Sequence, residues 1–365
     1  MLALTGEEFI LELRATQWVE GEDTNEDGIP DDFSALNNNI SAEHFSGTVS
    51  LTPTTILPAA GVTGNLALSS SNAGGGAQTV FNDQSLVTVG LNYDEVGTIA
   101  INASAPYLAN TLVQGQINNV GRFAPANFAL TGSVDAACDV GRDFTYFDQP
   151  ISNVSYTLSA RNHNGQRTSN YRGGFDKLLG LEMVVESEGV LLNRLANVDT
   201  VSWPQSGTTG EINFTDTNII FTRLGSAQLD GSYTNTSLVL NIESGQLENA
   251  LVNGSTCSGV CLATIDAGLD FAYGRATLVN NYGSANEPLL LPFSTQYFDG
   301  QDWRVNSNDS CTVYDRTDVN DVSGDLVIEN SGTLAQGSYV LGEGIRLTSP
   351  NGEGEFFVTY NAQTW

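Results

Sequence analysis

The chain has 365 residues, with 42 acidic against 13 basic side chains and a formal net charge of −29. A balance of that sign repels phosphate backbones, which makes DNA and RNA poor partners, and it excludes anionic membrane surfaces; no run of about 18 apolar residues is present to span a bilayer. The length exceeds what one hydrophobic core supports and predicts two or three domains.

Lysine occurs once, at Lys177, a composition suited to a salty medium rich in divalent cations, such as seawater. The opening MLALTGEEF lacks a basic n-region and a cleavage site, so it is expected to be part of a longer exported protein and not a signal peptide. Helical periodicity is scarce, while period-two runs bounded by turn dipeptides recur along the chain. The predicted class is all-β, built as tandem Ig-like β-sandwiches.

In chain order, FILELRAT places Phe9, Leu11, Leu13 and Ala15 on one face and leads through a polar excursion to FSGTVSL at 45–51. The excursion contains DTNEDGIPDDF. Asp23, Asn25 and Asp27 stand at positions one, three and five of a calcium loop, Gly28 at the turn position, Ile29 at the carbonyl position seven and Asp31 at nine. At position twelve Ser34 replaces the bidentate acid, a role Asp32 could take, and Pro30 argues against the flanking helices of an EF-hand. The pattern is closer to the short D-x-N-x-D-G-x-P-D loops of thrombospondin type 3 and related bacterial surface repeats. So many carboxylates in eleven residues repel one another without a cation, which favours Ca2+ over a loop that only makes turns. A single weakened loop would bind with a dissociation constant on the order of 10⁻⁴ to 10⁻³ M and would stiffen the insertion without doing chemistry.

GVTGNLALSSS, QSLVTVGLNY and VGTIAINASAPY complete a first module over 1–118, and NVGRFAP at 119–125 reads as the first joint. A second copy of the pattern fills 119–245. There VSYTLSA sets Val154, Tyr156, Leu158 and Ala160 on one face, and Asn-Gly at 164–165 supplies a tight turn before YRGGFDKLL. The third module, 246–365, contains LDFAYGRATLV, EPLLLPFSTQYF and GEGIRLTSPNGEGEFFVTY. Asp-Gly at 230–231 and 299–300 and Asn-Gly at 253–254 and 351–352 punctuate the later strands.

No HExxH, GxSxG or phosphate-binding GxxxxGK motif occurs, and the two histidines, His44 and His163, lie in separate regions, so a serine or cysteine triad is hard to build. A non-enzymatic chain is the expectation. A pair of carboxylates for polysaccharide hydrolysis is set by the fold, and among 42 acids no pair stands out. Trp303 and Tyr297 in QYFDGQDWRVN are candidates for a sugar-stacking surface, which gives a carbohydrate-binding module as the second reading. The four cysteines, Cys138, Cys257, Cys261 and Cys311, allow three pairings; Cys257 and Cys261 in CSGVC form the most natural local pair, in keeping with an oxidising, extracellular setting.

GRFAPANFAL, FTYFDQPI after Cys138, LSARNHNGQRTSNYRGGFDKL, IIFTR, FAYGRATLVNNYGSANEPLLLPFSTQYFDGQDWRVNSNDSCTVY and IRLTSPNGEGEFFVTYNAQTW occur in that order. Together they resemble the domain at the end of the MSHA biogenesis protein MshQ and its relatives over roughly 119–365. The resemblance implies a secreted or surface protein associated with type IV pili of Gram-negative, often marine, bacteria, with pilus or cell-surface components as partners, to which the aromatic stretch of Trp303 and Tyr297 adds glycans. It carries over no catalytic residue. Cys138 and Cys311 both stand in matched motifs, which implies a bond between them. Relatives continue past the residue matching Trp365, so the chain is expected to stop short of a natural end.

Overall fold

A computed structural model describes residues 3–27, 29–70, 77–107, 111–140, 143–207, 209–225, 229–244, 250–253, 255–257, 260–321, 328–329, 331–338, 344–348, 354–355 and 357–360. The chain is all-β: among the described residues the only helical turns are the short 3₁₀ segments Ala35–Asn38 and Arg316–Asp318.

The first module is a sandwich. One sheet joins Ala3–Leu4, Thr111–Ala124, Gly97–Tyr107, Gly47–Leu57 and Ala77–Phe81 in that spatial order, and the other joins Glu8–Arg14, Leu86–Tyr93 and Leu66–Leu68. The N-terminal segment gives one strand to each sheet. Ala3–Leu4 pairs parallel with Phe123 and Ala124, Gly6 turns the backbone at φ +82°, and Glu8–Arg14 then runs antiparallel to Leu86–Tyr93. Alternation sends Phe9 and Leu11 from one sheet, and Val49, Leu51, Ile99 and Ile101 from the other, into one core with Tyr93 and Phe123. Burial of that apolar area supplies most of the driving force for folding.

In the second module Asn153–Arg161 lies between Glu211–Asp216 and Asn127–Asp135, so VSYTLSA buries Val154, Tyr156, Leu158 and Ala160 on its inner face. The facing sheet orders Thr145–Tyr146, Val260–Ala272, Tyr233–Ser244, Leu178–Ser187 and Val190–Leu192. Its core holds Phe128, Tyr171, Trp203 and Phe221. Arg194 is buried there against Asp230, with its guanidinium carbon 4.5 Å from the centre of the Phe221 ring. The third module packs smaller sheets around Leu291, Phe293, Tyr314, Ile345 and Leu347.

Two divisions drawn from sequence run through hydrogen-bonded sheets. Strand Thr111–Ala124 is continuous across 118/119, and only Pro125 and Ala126 separate it from Asn127–Asp135, so NVGRFAP is mostly strand. The cut at 245/246 separates Tyr233–Ser244 from its antiparallel partner Val260–Ala272. The second module therefore extends to about 273, where Phe271 and Tyr273 still belong to its core. LDFAYGRATLV reads as one apolar run in the sequence because it crosses from one core into the next.

Candidate functional site

The acidic loop curls tightly. Asp23 Oδ1 and Asn25 Oδ1 both accept the Asp27 N–H at 3.2 Å, and Asp27 Oδ1 accepts the Ile29 N–H at 2.8 Å. Asp23 is buried, while Asn25 and Asp27 are exposed. Three side-chain oxygens thus gather on one turn. Asp31 is directed to Thr24, whose hydroxyl (2.7 Å) and N–H (3.1 Å) hold its carboxyl below the usual carboxylate range. Asp32 is engaged in the same way by the hydroxyl and N–H of Ser34. As arranged, no group of three or more His, Cys, Asp or Glu among the described residues is placed to hold a metal ion. A calcium shell here would add the Ile29 carbonyl and turn Asp31 away from Thr24.

The aromatic pair does not form one surface. Phe298 lies opposite Trp303 in the ladder and Tyr297 opposite Arg304, so alternation puts Tyr297 and Trp303 on opposite faces. Trp303 packs edge-on to Tyr273, and the Arg275 guanidinium carbon sits 3.9 Å from its ring centre. Its ring is therefore occupied by protein groups. Tyr297 packs with Cys138, Phe144 and Tyr146.

Cys138 and Cys311 are bonded, with Cα atoms 5.6 Å apart and a sequence separation of 173. The bond ties the second module to the third. Cys261 is also disulfide-bonded; the side chain of Cys257 lies outside the described residues. Beside the first bond is a buried polar cluster. Tyr146 donates its hydroxyl to Asp309 Oδ2 at 2.9 Å and accepts from Asn306 Nδ2 at 2.7 Å. Thr295 and Thr312 hydroxyls also donate to Asp309 Oδ2, each at 2.7 Å, and the N–H groups of Cys311 and Thr312 donate to Oδ1. Burial, then the charge of Asp309, pushes the Tyr146 hydroxyl well above its ordinary range. A cleft of about 330 Å³ opens against this junction, lined in part by Gln149, Asp315 and Asp318. Asp309 spends both oxygens on five donors, so it has no lone pair oriented for acid–base work.

A second buried carboxylate closes the other junction. Glu95, at the end of the first core, is 6% exposed; its Oε1 accepts the N–H groups of Val96 (2.8 Å) and Asn170 (3.0 Å), and its Oε2 accepts that of Ser169 (2.8 Å). Asn170 reaches back to the first module, donating to Val62 O and Val96 O and accepting from Val62 N. Arg172 donates to Ala59 O and Ala60 O, and Arg122 donates to Phe175 O while covering the Phe175 ring. The Asn162–Gln166 turn also docks, with the His163 N–H on Thr5 O at 2.9 Å. Sequence reading missed Glu95, Tyr146, Asn170, Arg172 and Asp309. The available signal was SNYRGGF, where the polar Asn170 and Arg172 flank Tyr171 just before a Gly-Gly turn.

Residues 95–273 match the model of the third domain of DUF6701, and residues 272–365 match that of the fourth. The chain belongs to the DUF6701 family. None of the curated proteins matches it. In this DUF6701 chain the third-domain match begins at Glu95 itself and takes in Gly97–Tyr107 and Thr111–Ala124, strands hydrogen-bonded into the first sandwich. The joint between its third- and fourth-domain matches, near 272–273, falls where Val260–Ala272 ends and Gly274–Leu278 begins. No helix among the described residues is long and apolar enough to cross a membrane.

Proposed function

We propose that this chain is a non-enzymatic, modular protein displayed outside the cell, an adhesin-like or pilus-associated component of the MshQ-like kind, whose sandwiches act by shape and rigidity. The observation that carries the reading is the construction of the two junctions. Each buries a carboxylate that takes donors from the neighbouring module, Glu95 at the first and Asp309 at the second, and the second is also covalently closed by Cys138–Cys311. A buried carboxylate whose oxygens are held by donors from across a boundary favours one geometry, because a tilt there leaves a donor or a charge without its partner. A structural disulfide fits an oxidising compartment.

Calcium belongs to the same reading. The turn over Asp23, Asn25 and Asp27 would hold one Ca2+ and stiffen the insertion between Glu8–Arg14 and Gly47–Leu57, joined by the Ile29 carbonyl and by Asp31 and Asp32 once these leave Thr24 and Ser34. Calorimetric titration with calcium tests this: the Asp23→Ala/Asp27→Ala variant should take up no heat where the parent does, and equal uptake would remove calcium from the account. Immunogold labelling of intact cells tests the location. Label on the outer surface or on pili is the expected result, and label confined to sectioned cell interiors would overturn the reading.

A further inference from the structure

In a chain with 42 acidic residues, segments 47–57, 77–81, 97–107 and 111–121 contain no Asp, Glu, Lys, Arg or His. These segments supply three of the five strands of the large sheet of the first module and most of a fourth, Thr111–Ala124, whose one charged residue, Arg122, is turned to the Phe175 carbonyl at the junction. Their inner residues, Val49, Leu51, Ile99 and Ile101 among them, fill the core, so the alternate residues face outward. Registers align the outward set in rows across the strands: Ser50–Ser104–Gln114 and Thr52–Asn102–Gln116. The amides are linked to one another at the surface, Gln116 Nε2 to Asn102 Oδ1 at 2.7 Å, Asn118 Nδ2 to Gln116 Oε1 at 3.3 Å and Asn102 Nδ2 to Thr54 Oγ1 at 3.3 Å. Charged residues make up 15% of the whole chain, and the outward set of these four segments has none.

From this we infer that the outer face of the large sheet is a binding platform for a neutral, hydroxyl-rich polysaccharide. Three properties choose that occupant. The absence of charge removes the basis for phosphate, sulfate or cation recognition. The rows also lack the aromatic, Met and Arg anchors on which protein–protein interface cores depend. What they offer is a flat array of groups that both donate and accept, the complement of sugar hydroxyls, at the strand spacing of about 4.8 Å, with the exposed side chains of Val80 and Leu112 on the same face to meet the apolar faces of sugar rings. The bonds between the amides hold their orientation before a ligand arrives, which lowers the ordering cost on binding. The corresponding row of the second module, Thr131–Thr157–Asn213, is followed on the same strands by Glu211 and Arg161 and is not charge-free.

The inference names a ligand class for the displayed protein and rests on the display reading. It is tested on the full chain by affinity electrophoresis in gels containing dextran, hydroxyethyl cellulose or galactomannan. At least one should retard the parent. Asn102→Ala/Gln116→Ala should weaken that retardation about tenfold or more, the loss expected for two hydrogen-bonding amides. The milder Asn102→Ser/Gln116→Ser should do so partially, and Trp303→Ala should not. Unchanged thermal midpoints check that the exposed variants fold. Migration indifferent to all three polysaccharides, or retardation equal in parent and variant, would overturn the platform. So would a dimer in size-exclusion chromatography that the same variant dissolves, since a second copy would then cover the face. Stiffness is read separately by scattering, so a rigid chain that binds no glycan sinks this inference alone, and a flexing chain that binds sinks the stalk reading alone.

Discussion

Glu95 of the first module accepts the backbone N–H of Asn170 of the second at 3.0 Å, and both residues are buried. The contact makes one carboxylate the common acceptor for donors on both sides of a module boundary. Replacing it by alanine leaves the N–H groups of Val96, Ser169 and Asn170 without their acceptor. Glu95→Ala is expected to lower stability by about 1–3 kcal/mol, seen as an earlier urea midpoint. A midpoint equal to that of the parent would show that the donors find other partners.

The same carboxyl gives a pH signature. Burial pushes its pKa above the ordinary 4.5, and the N–H bonds from Ser169, Asn170 and Val96 only partly offset this. The folded state therefore holds the proton more tightly than the unfolded chain does. Its contribution is full below pH 4.5 and is lost as pH rises through the folded pKa. Glu95→Gln should flatten that part of the stability profile, measured as thermal midpoint against pH; an identical profile in the variant would assign the dependence to other groups.

The Cys138–Cys311 bond closes a loop with a sequence separation of 173. Chain-entropy reasoning gives it a stabilising effect of up to about 5 kcal/mol. Cys138→Ser/Cys311→Ser should melt several degrees lower, and a reductant should lower the parent in the same direction. If neither changes the midpoint, the polar cluster around Asp309 alone holds the second and third modules.

Chelation supplies a fourth test. Trp18 is 53% exposed at the entry to the acidic loop, with the Gln17 N–H on Ile40 O at 2.7 Å holding the base of the insertion. Adding calcium should shift the tryptophan emission of the parent, and a chelator should reverse it. The shift should be absent in Asp23→Ala/Asp27→Ala. Emission that ignores calcium in the parent would count against the ion.

The all-β class was legible because alternation is local: Val154, Tyr156, Leu158 and Ala160 can be assigned to one face by counting, and they line the core. Module limits were not legible. Thr111–Ala124 and Val260–Ala272 each pair back onto the strand shortly before them, Gly97–Tyr107 and Tyr233–Ser244, across the places where the sequence suggests a cut, and a run such as NVGRFAP, with its glycine and proline, looks like a joint until its ladder partners are known. The acidic loop could be picked out from spacing alone, since its turn is made within a few residues. The junction groups could not. Glu95 meets Ser169 across 74 residues and Tyr146 meets Asp309 across 163, distances over which no spacing rule operates. The separation of Tyr297 from Trp303 depended on the register of a single hairpin, in which Phe298, not Tyr297, is the partner of Trp303.

Small-angle X-ray scattering from the full, oxidised chain in calcium tests the central claim most directly. The account predicts a curve fitted by this single arrangement of the three modules, unchanged between moderate and high salt. A curve that requires an ensemble of modules moving independently about residues 125–126 or 273 would contradict it.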